Sequence, residues 1–459
     1  MSQTENAYDP KTVELLTFYD AIAAFQDGTD TPRGYLERCL ETIGERELEV
    51  QAFVVKNIDG AREAADESTA RYKANRPFSL VDGMPVCIKD LFETADMPTQ
   101  MNSPVYAGWQ SYRDAAHVYA LRRGGATIVG KTVTTEFGQA TPGPTRNPFD
   151  TTRTPGGSSS GTSAAVGAAM VPAGTGSQVR GSIQRPAGYC GNYALKPTFG
   201  ALNRGGGHSM SPSQSVLGTH AGSLEDCWRT AFHISSTIGG DAGHPGLFGE
   251  PILAGSVKPA RLARLDTRGW HETEGETKEI FERFITEVLA QGVEVVSRSD
   301  DKRIETLERA LETIPEFMFD IFAYEMLWPT WGYRDKGRAY LSEAIHERLE
   351  RGEKLRPRDY RDRLDKREEL RRLFAALDGI FDGYLTLSAQ GPPPVGMAVG
   401  DPVYGDMSSC LGAPAMNLPL LADRGLPMGI QLLGHPHGDY ELALRGKWFV
   451  DTFLGTPAH

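Results

Sequence analysis

The chain has 459 residues, 40% of them hydrophobic and 24% charged, with a formal net charge of −12. This is an ordinary globular composition, too long for a small stapled scaffold, and its acidity argues against a nucleic-acid binder. The cysteines Cys39, Cys87, Cys190, Cys227 and Cys410 are scattered, odd in number and without a C-x-x-C pair, which argues against a disulfide framework or a zinc site and predicts buried free thiols.

The N-terminus (MSQTENAYDPKTVELL) has no basic segment followed by an apolar run, and no stretch approaches the roughly 18 apolar residues that span a bilayer. A cytoplasmic protein with no membrane partner is expected. Residues 11–47 read as two amphipathic helices, the second opened by Thr31-Pro32, an N-cap followed by proline at the first helical position. A further helix is predicted over about 56–75. Val81 to Ile88 then reads as a turn and a short apolar strand ending at Lys89-Asp90. His117 to Gly125 is helical in pattern, and Ala126 to Lys131 (ATIVGK) is a second buried strand. Short apolar strands alternating with helices predict an α/β architecture.

Between residues 156 and 182, 20 of 27 residues are Gly, Ala, Ser or Thr, and Arg180 is the only charge. Such composition usually marks a flexible linker. The run Ser163 to Val171 (SAAVGAAMV) is instead apolar enough for a buried helix of small residues. Residues 272–380 are charged and helical in pattern, as in Arg361 to Leu377 (RDRLDKREELRRLFAAL), with the charges read as a solvated face. Gly391-Pro-Pro-Pro394 punctuates the chain, and Leu411 to Gly434 returns to short apolar runs. The predicted fold is a single large α/β/α domain with a mixed twisted sheet. It has an N-terminal helical arm (about 1–75), a core (about 76–255 and 380–459) and a charged helical insertion (about 272–380) bordering the pocket.

Two local motifs are decoys. Gly157-Ser-Ser-Ser-Gly161 matches the nucleophile elbow with Ser159 at its centre, but it follows a loop rather than a hydrophobic strand. Ser299-Asp-Asp-Lys302 matches S-x-x-K in a charged, exposed segment. No phosphate loop, dinucleotide fingerprint or H-E-x-x-H is present, so no cofactor or metal is expected. His208 and His220 would serve a Ser-His-Asp triad, which their spacing does not favour.

Three other places combine more tellingly: Pro85-Val-Cys-Ile-Lys89-Asp90, Thr154-Pro-Gly-Gly-Ser-Ser-Ser-Gly161, and Gly176-Ser-Gln-Val-Arg-Gly-Ser182-Ile-Gln-Arg-Pro-Ala187 followed by Leu195-Lys-Pro-Thr198. With Gly130-Lys131, Glu136-Phe137, Asn417-Leu-Pro419 and Leu426 to Gly434, this order of motifs resembles the amidase signature family over roughly residues 50 to 455. The resemblance implies Ser182 as nucleophile, Ser158 as a bridging serine after a cis peptide bond, and Lys89 as base. It also implies an oxyanion hole of backbone N–H groups from Val179, Arg180, Gly181 and Ser182, such donors being worth about 2.7–4 kcal/mol each. A lysine near its ordinary pKa of about 10.4 is no base, so burial must favour its neutral form.

The loop departs from the family's usual G-T-D-T-G-G-S. Arg180 replaces a glycine, and its side chain would bind an anionic group or turn outward to a carboxylate. Gln178 replaces an aspartate, while Gln184 and Arg185 stand where the family often has arginine and an apolar residue. Candidate substrate contacts are Met101, Asn102, Gln178 and Arg180, with Phe317 and Trp328 from the aromatic stretch Phe317 to Tyr333. The implied activity is cleavage of a small amide, ester or carbamate by a monomer or homodimer, an aryl amidase or urethane-cleaving enzyme being favoured. The alternatives are a catalytic subunit of an amidotransferase-like complex and a hydrolase of small urea-type amides.

Overall fold

The computed structural model describes residues 7–139 and 141–455. One mixed sheet of 11 strands runs through it. In chain order these are β1 (Phe53–Lys56), β2 (Pro85–Lys89), β3 (Thr127–Thr132), β4 (Ala173–Gln178), β5 (Tyr193–Lys196), β6 (Val216–Ala221), β7 (Arg261–Arg264), β8 (Glu294–Val296), β9 (Gly383–Leu387), β10 (Ala415–Asp423) and β11 (Leu426–Leu433). Across the sheet the order is β1-β3-β2-β4-β6-β5-β10-β11-β9-β7-β8. β2 lies parallel to both β3 and β4, and β10–β11 is an antiparallel hairpin. The inner strands β2 to β6 are buried along their whole length, as expected where helices cover both faces. The edge strands β1 and β8 are short and partly exposed, which limits edge pairing with other chains.

The helix Pro32–Val50 starts where Thr31-Pro32 predicts, with the Thr31 hydroxyl accepting from Gly34 N at 3.0 Å. The helix before it is much shorter than the pattern implies, only Ala21–Asp27. Residues 13–17 take no regular structure because the arm is held by distant partners. The Asp226 carboxylate accepts from Phe18 N (2.7 Å) and Tyr19 N (3.0 Å), and the Tyr8 hydroxyl donates to Pro419 O at 2.6 Å.

The small-residue stretch is packed core, not linker. A Cβ at Gly161, in the buried helix Ser160–Gly167, would lie 2.3 Å from the Ala52 carbonyl oxygen. A Cβ at Gly176 on β4 would lie 2.8 Å from the Ser159 hydroxyl. Only glycine allows these approaches.

The stretch 272–380 is not helical throughout. Its first helix, Gly275–Ala290, leads into β8, the chain turning at Gly292 with φ 74°. The β-branched pair Val295-Val296 then joins the sheet parallel to β7. The purely helical layer is confined to Lys302–Leu311, Ile314–Glu325, Leu327–Gly337, Glu343–Glu353 and Pro357–Ala375. Among the described residues no helix is long and apolar enough to cross a membrane.

Candidate active site

Lys89 ends β2, flanked by β3 and β4, and its side chain is fully buried. Its Nζ donates to Ser158 Oγ (2.8 Å), Ser159 Oγ (3.0 Å) and Ser177 Oγ (3.0 Å), and reaches Ser177 O at 3.4 Å. Its hydrogen-bond partners among the described residues are hydroxyls and one carbonyl, with no carboxylate. Burial alone therefore pushes its pKa well below the ordinary lysine value. Burial thus favours the neutral form of this amine, which three hydroxyls surround.

Ser158 follows a cis Gly157–Ser158 peptide bond. Ser159, the centre of the elbow-like motif, points away from any open space. Its buried hydroxyl is enclosed by Lys89 and the Ser177 backbone, accepting from Ser177 N at 3.3 Å. Ser182 borders a cavity, and Ser177 borders a different one on the side of His208. The Ser182 cavity, of about 180 Å³, is lined by Gly138, Gln139, the loop Val179 to Ser182, Arg185, Phe319, Phe322, Arg348, Val399, Gly400 and Pro402. No hydrogen bond joins the hydroxyls of Ser182 and Ser158 among the described residues. The link between their segments is Ser159 N donating to Ser182 O at 3.4 Å.

The loop after β4 accommodates Arg180 without a positive φ. The Arg180 guanidinium turns to Asp406 in a two-point pair, Nε to Oδ1 at 2.7 Å and Nη2 to Oδ2 at 2.6 Å. Of the two directions expected for its side chain, the structure thus shows the one toward a carboxylate, although Arg180 also lines the cavity. Gln178 is not a substrate contact. It is fully buried, its Oε1 accepts from Ile183 N (2.9 Å) and Gln184 N (3.1 Å), and its Nε2 donates to the hydroxyls of Ser408 (3.3 Å) and Ser409 (3.2 Å). This amide ties both ends of the loop together, and an aspartate there could only accept.

The other proposed contacts also sit elsewhere. Phe317 is 1% exposed in the hydrophobic core, whereas Trp328 is 74% exposed on the surface. The helix Ile314–Glu325 does reach the cavity, through Phe319 and Phe322 on its opposite face. Met101 and Asn102 have positive φ values of 54° and 51° and lie behind the cavity wall, Met101 O accepting from Phe137 N at 2.9 Å. Their loop is pinned by Asp90, whose Oδ2 accepts from Gln100 N and Met101 N (3.0 Å each) while Oδ1 pairs with buried Lys131 at 2.8 Å. Asp90→Ala strands that lysine and two amides, so urea unfolding should show a loss of about 3–5 kcal/mol.

His220 is buried against Asn192 (Nδ1 to Oδ1, 3.2 Å), and burial, followed by the nearby Lys89, pushes its pKa down to about 3. His208 meets the Tyr333 hydroxyl at 2.9 Å. Neither lines the Ser182 cavity. Ser299 is exposed in a turn, its hydroxyl 2.8 Å from that of Ser297. All five free cysteines are buried, and no His/Cys/Asp/Glu group able to hold a metal occurs among the described residues. Sequence reasoning missed Ser177, Phe319, Phe322 and Arg348. No sequence signal marked Ser177; it is the parallel pairing of Ile88 with Thr175 that carries β4 past the end of β2 at that height.

Comparison with known proteins agrees with this geometry. The model of the Amidase family matches residues 35–443. A glutamyl-tRNA(Gln) amidotransferase subunit from Chloroflexus aurantiacus is 28% identical, covering 93% of this chain and 94% of that one. Among solved structures, that of an amidase superposes with a TM-score of 0.83 at 25% identity, over 95% of this chain and 100% of the other. The peptide amidase of Stenotrophomonas maltophilia shares the fold, with a TM-score of 0.79 at 23% identity over 96% and 98% of the two chains.

Proposed function

This chain belongs to the Amidase family, and on that footing we propose that it cleaves a small amide through an acyl-enzyme on Ser182. Ser182 Oγ attacks the carbonyl carbon while its proton passes through the Ser158 hydroxyl to neutral Lys89. Backbone N–H groups of Val179, Arg180, Gly181 and Ser182 meet the developing oxyanion. When the C–N bond breaks, the proton returns from Lys89 through Ser158 to the leaving nitrogen. Water then enters by the same relay, its proton going to Lys89 and back to Ser182 as the acid departs. Esters and carbamates are substrates of the same mechanism, since each offers a carbonyl and a leaving group to protonate.

The observation that carries this reading is the buried, carboxylate-free Lys89 donating to Ser158 at 2.8 Å. Beyond the shared chemistry, two substrate readings stand. Phe319 and Phe322 in the cavity wall favour an aryl amide or urethane. The likeness over nearly the whole chain to part of an amidotransferase favours a catalytic subunit of such an assembly, and it weighs more than two phenylalanines. Activity that rises when a partner chain is added distinguishes the second from the first.

The test is labelling with a small fluorophosphonate, read by intact mass and peptide mapping. A single adduct on Ser182, lost or much slowed in Lys89→Ala, is expected. An adduct on Ser159, or labelling indifferent to Lys89, would overturn the mechanism.

A further inference from the structure

His220 is a fully buried titratable group that the chemistry at Ser182 leaves unused. It stands on β6 opposite Gly174 of β4, and Gly176 shares that face two residues along. A Cβ on Gly176 would lie 2.9 Å from His220 Nε2 and 2.8 Å from Ser159 Oγ, so the bare glycine lets the two approach. The hydrogen bonds of Asn192 fix the imidazole tautomer. Ser163 O is a carbonyl and can only accept, so Asn192 presents Nδ2 to it, at 3.0 Å. Asn192 Oδ1 therefore faces His220 Nδ1, 3.2 Å away, and Nδ1 carries the hydrogen. Nε2 is left as a lone pair with no partner among the described residues.

One hydroxyl joins this lone pair to the Lys89 cluster. Ser159 Oγ accepts from Lys89 Nζ at 3.0 Å and shares the space over Gly176 with Nε2. Its own hydrogen meets Ser177 O only at 3.3 Å. The other titratable groups around these strands do not answer a charge on Lys89. The Cys87 thiol, against Gly174, is pushed up to about 12 by burial and stays neutral. Lys131 is paired with Asp90, and His117 meets Thr175 Oγ1 at 3.3 Å. Each time the relay delivers a proton, an ammonium must therefore form at Lys89 among hydroxyls and one carbonyl. In so dry a place a fixed dipole counts, because it needs no reorganisation and polarises the hydroxyl between.

We propose that His220, held by Asn192, is a positioning residue for Lys89: its Nε2 lone pair acts through Ser159 to steady the ammonium that forms during the reaction. No proton passes to His220, which stays a neutral imidazole throughout. This deepens the reading of Lys89 as base and rests on it.

The experiment uses the full chain with His220→Phe and Asn192→Val combined, so that the imidazole and the amide facing it leave the core together. The rate of fluorophosphonate labelling at Ser182 is followed against pH. Its acid limb, set by Lys89, should move down by about 1 pH unit, and the plateau rate should fall about 3–10-fold as the base weakens. His220→Gln, whose amide oxygen can replace Nε2, should keep the limb nearer that of the wild type. A limb that stays in place or moves up overturns the proposal, since a merely structural histidine would change Tm and leave the limb alone. In the wild type, ¹⁵N NMR of the imidazole should show Nδ1 protonated and Nε2 bare from about pH 5 to 9. A proton on Nε2 overturns the proposal even if the variants fail to fold. Urea unfolding separates this coupling from the reading of Lys89 as base. The rise of unfolding free energy with pH that Lys89 causes should begin about 1 pH unit lower in the double variant. If that shift appears while labelling is indifferent to Lys89→Ala, the base falls and the coupling stands. If labelling needs Lys89 and neither the limb nor the urea curve moves, the coupling falls and the base stands.

Discussion

Ser182→Ala should lower kcat/KM on any amide the enzyme turns over by about 10⁵–10⁶-fold, since it removes the hydroxyl that forms the acyl-enzyme. Of the serines near the lysine, only Ser182 lines the cavity. Ser159 is buried, with its hydroxyl engaged by Lys89 and the Ser177 backbone. The same fluorophosphonate that marks Ser182 should therefore leave Ser182→Ala unlabelled and still mark Ser159→Ala. A persistent adduct in Ser182→Ala would mean that another nucleophile does the work. The residual rate of Ser182→Ala should stay above that in water, because binding and the backbone donors of the loop remain.

Lys89→Met should cost about 10²–10⁴-fold in kcat, the usual worth of a positioned base. Lys89→Arg should cost as much, because an arginine stays protonated and cannot accept the proton. In the wild type kcat/KM should rise with pH as Lys89 loses its proton. Burial lowers that pKa, so the rise is complete well below the ordinary lysine value of 10.5. The same shift has a sign in stability. The unfolded chain binds a proton at this lysine that the folded chain refuses. The contribution of Lys89 to unfolding free energy therefore grows with pH between its folded and unfolded pKa values. Urea titrations at neutral and alkaline pH should show this slope in the wild type and a smaller one in Lys89→Met. Equal slopes, or an activity profile with its acid limb at the ordinary lysine pKa, would mean that Lys89 is charged in the folded protein.

Much of the frame was legible in local patterns. The apolar runs of β2 and β3 are buried where they were expected, and Thr31 caps its helix. The small residues around Gly161 are tightly packed, as the absence of charge implied. Lys89 at the end of a buried strand could be singled out because an apolar run leaves a terminal lysine no local route to water. The first helix was overestimated because its amphipathic pattern says nothing of Asp226, which holds Phe18 and Tyr19 by their backbone amides. β8 was overlooked because three residues between charged helices are too few to show a period.

The sequence alone determined what depends on neighbours in the chain: strand burial, helix caps, the crowding of small residues, and the ordered motifs that contain Lys89, Ser158 and Ser182. The tertiary structure decided what depends on partners far along it. Arg180 turns to Asp406, 226 positions away, and Gln178 braces its loop against Ser408 and Ser409. The helix Ile314–Glu325 gives Phe317 to the core and Phe319 and Phe322 to the cavity. A helix of mostly apolar residues carries no internal mark of which face will meet the substrate. Likewise, the direction of a guanidinium is set by whichever carboxylate packing brings within reach.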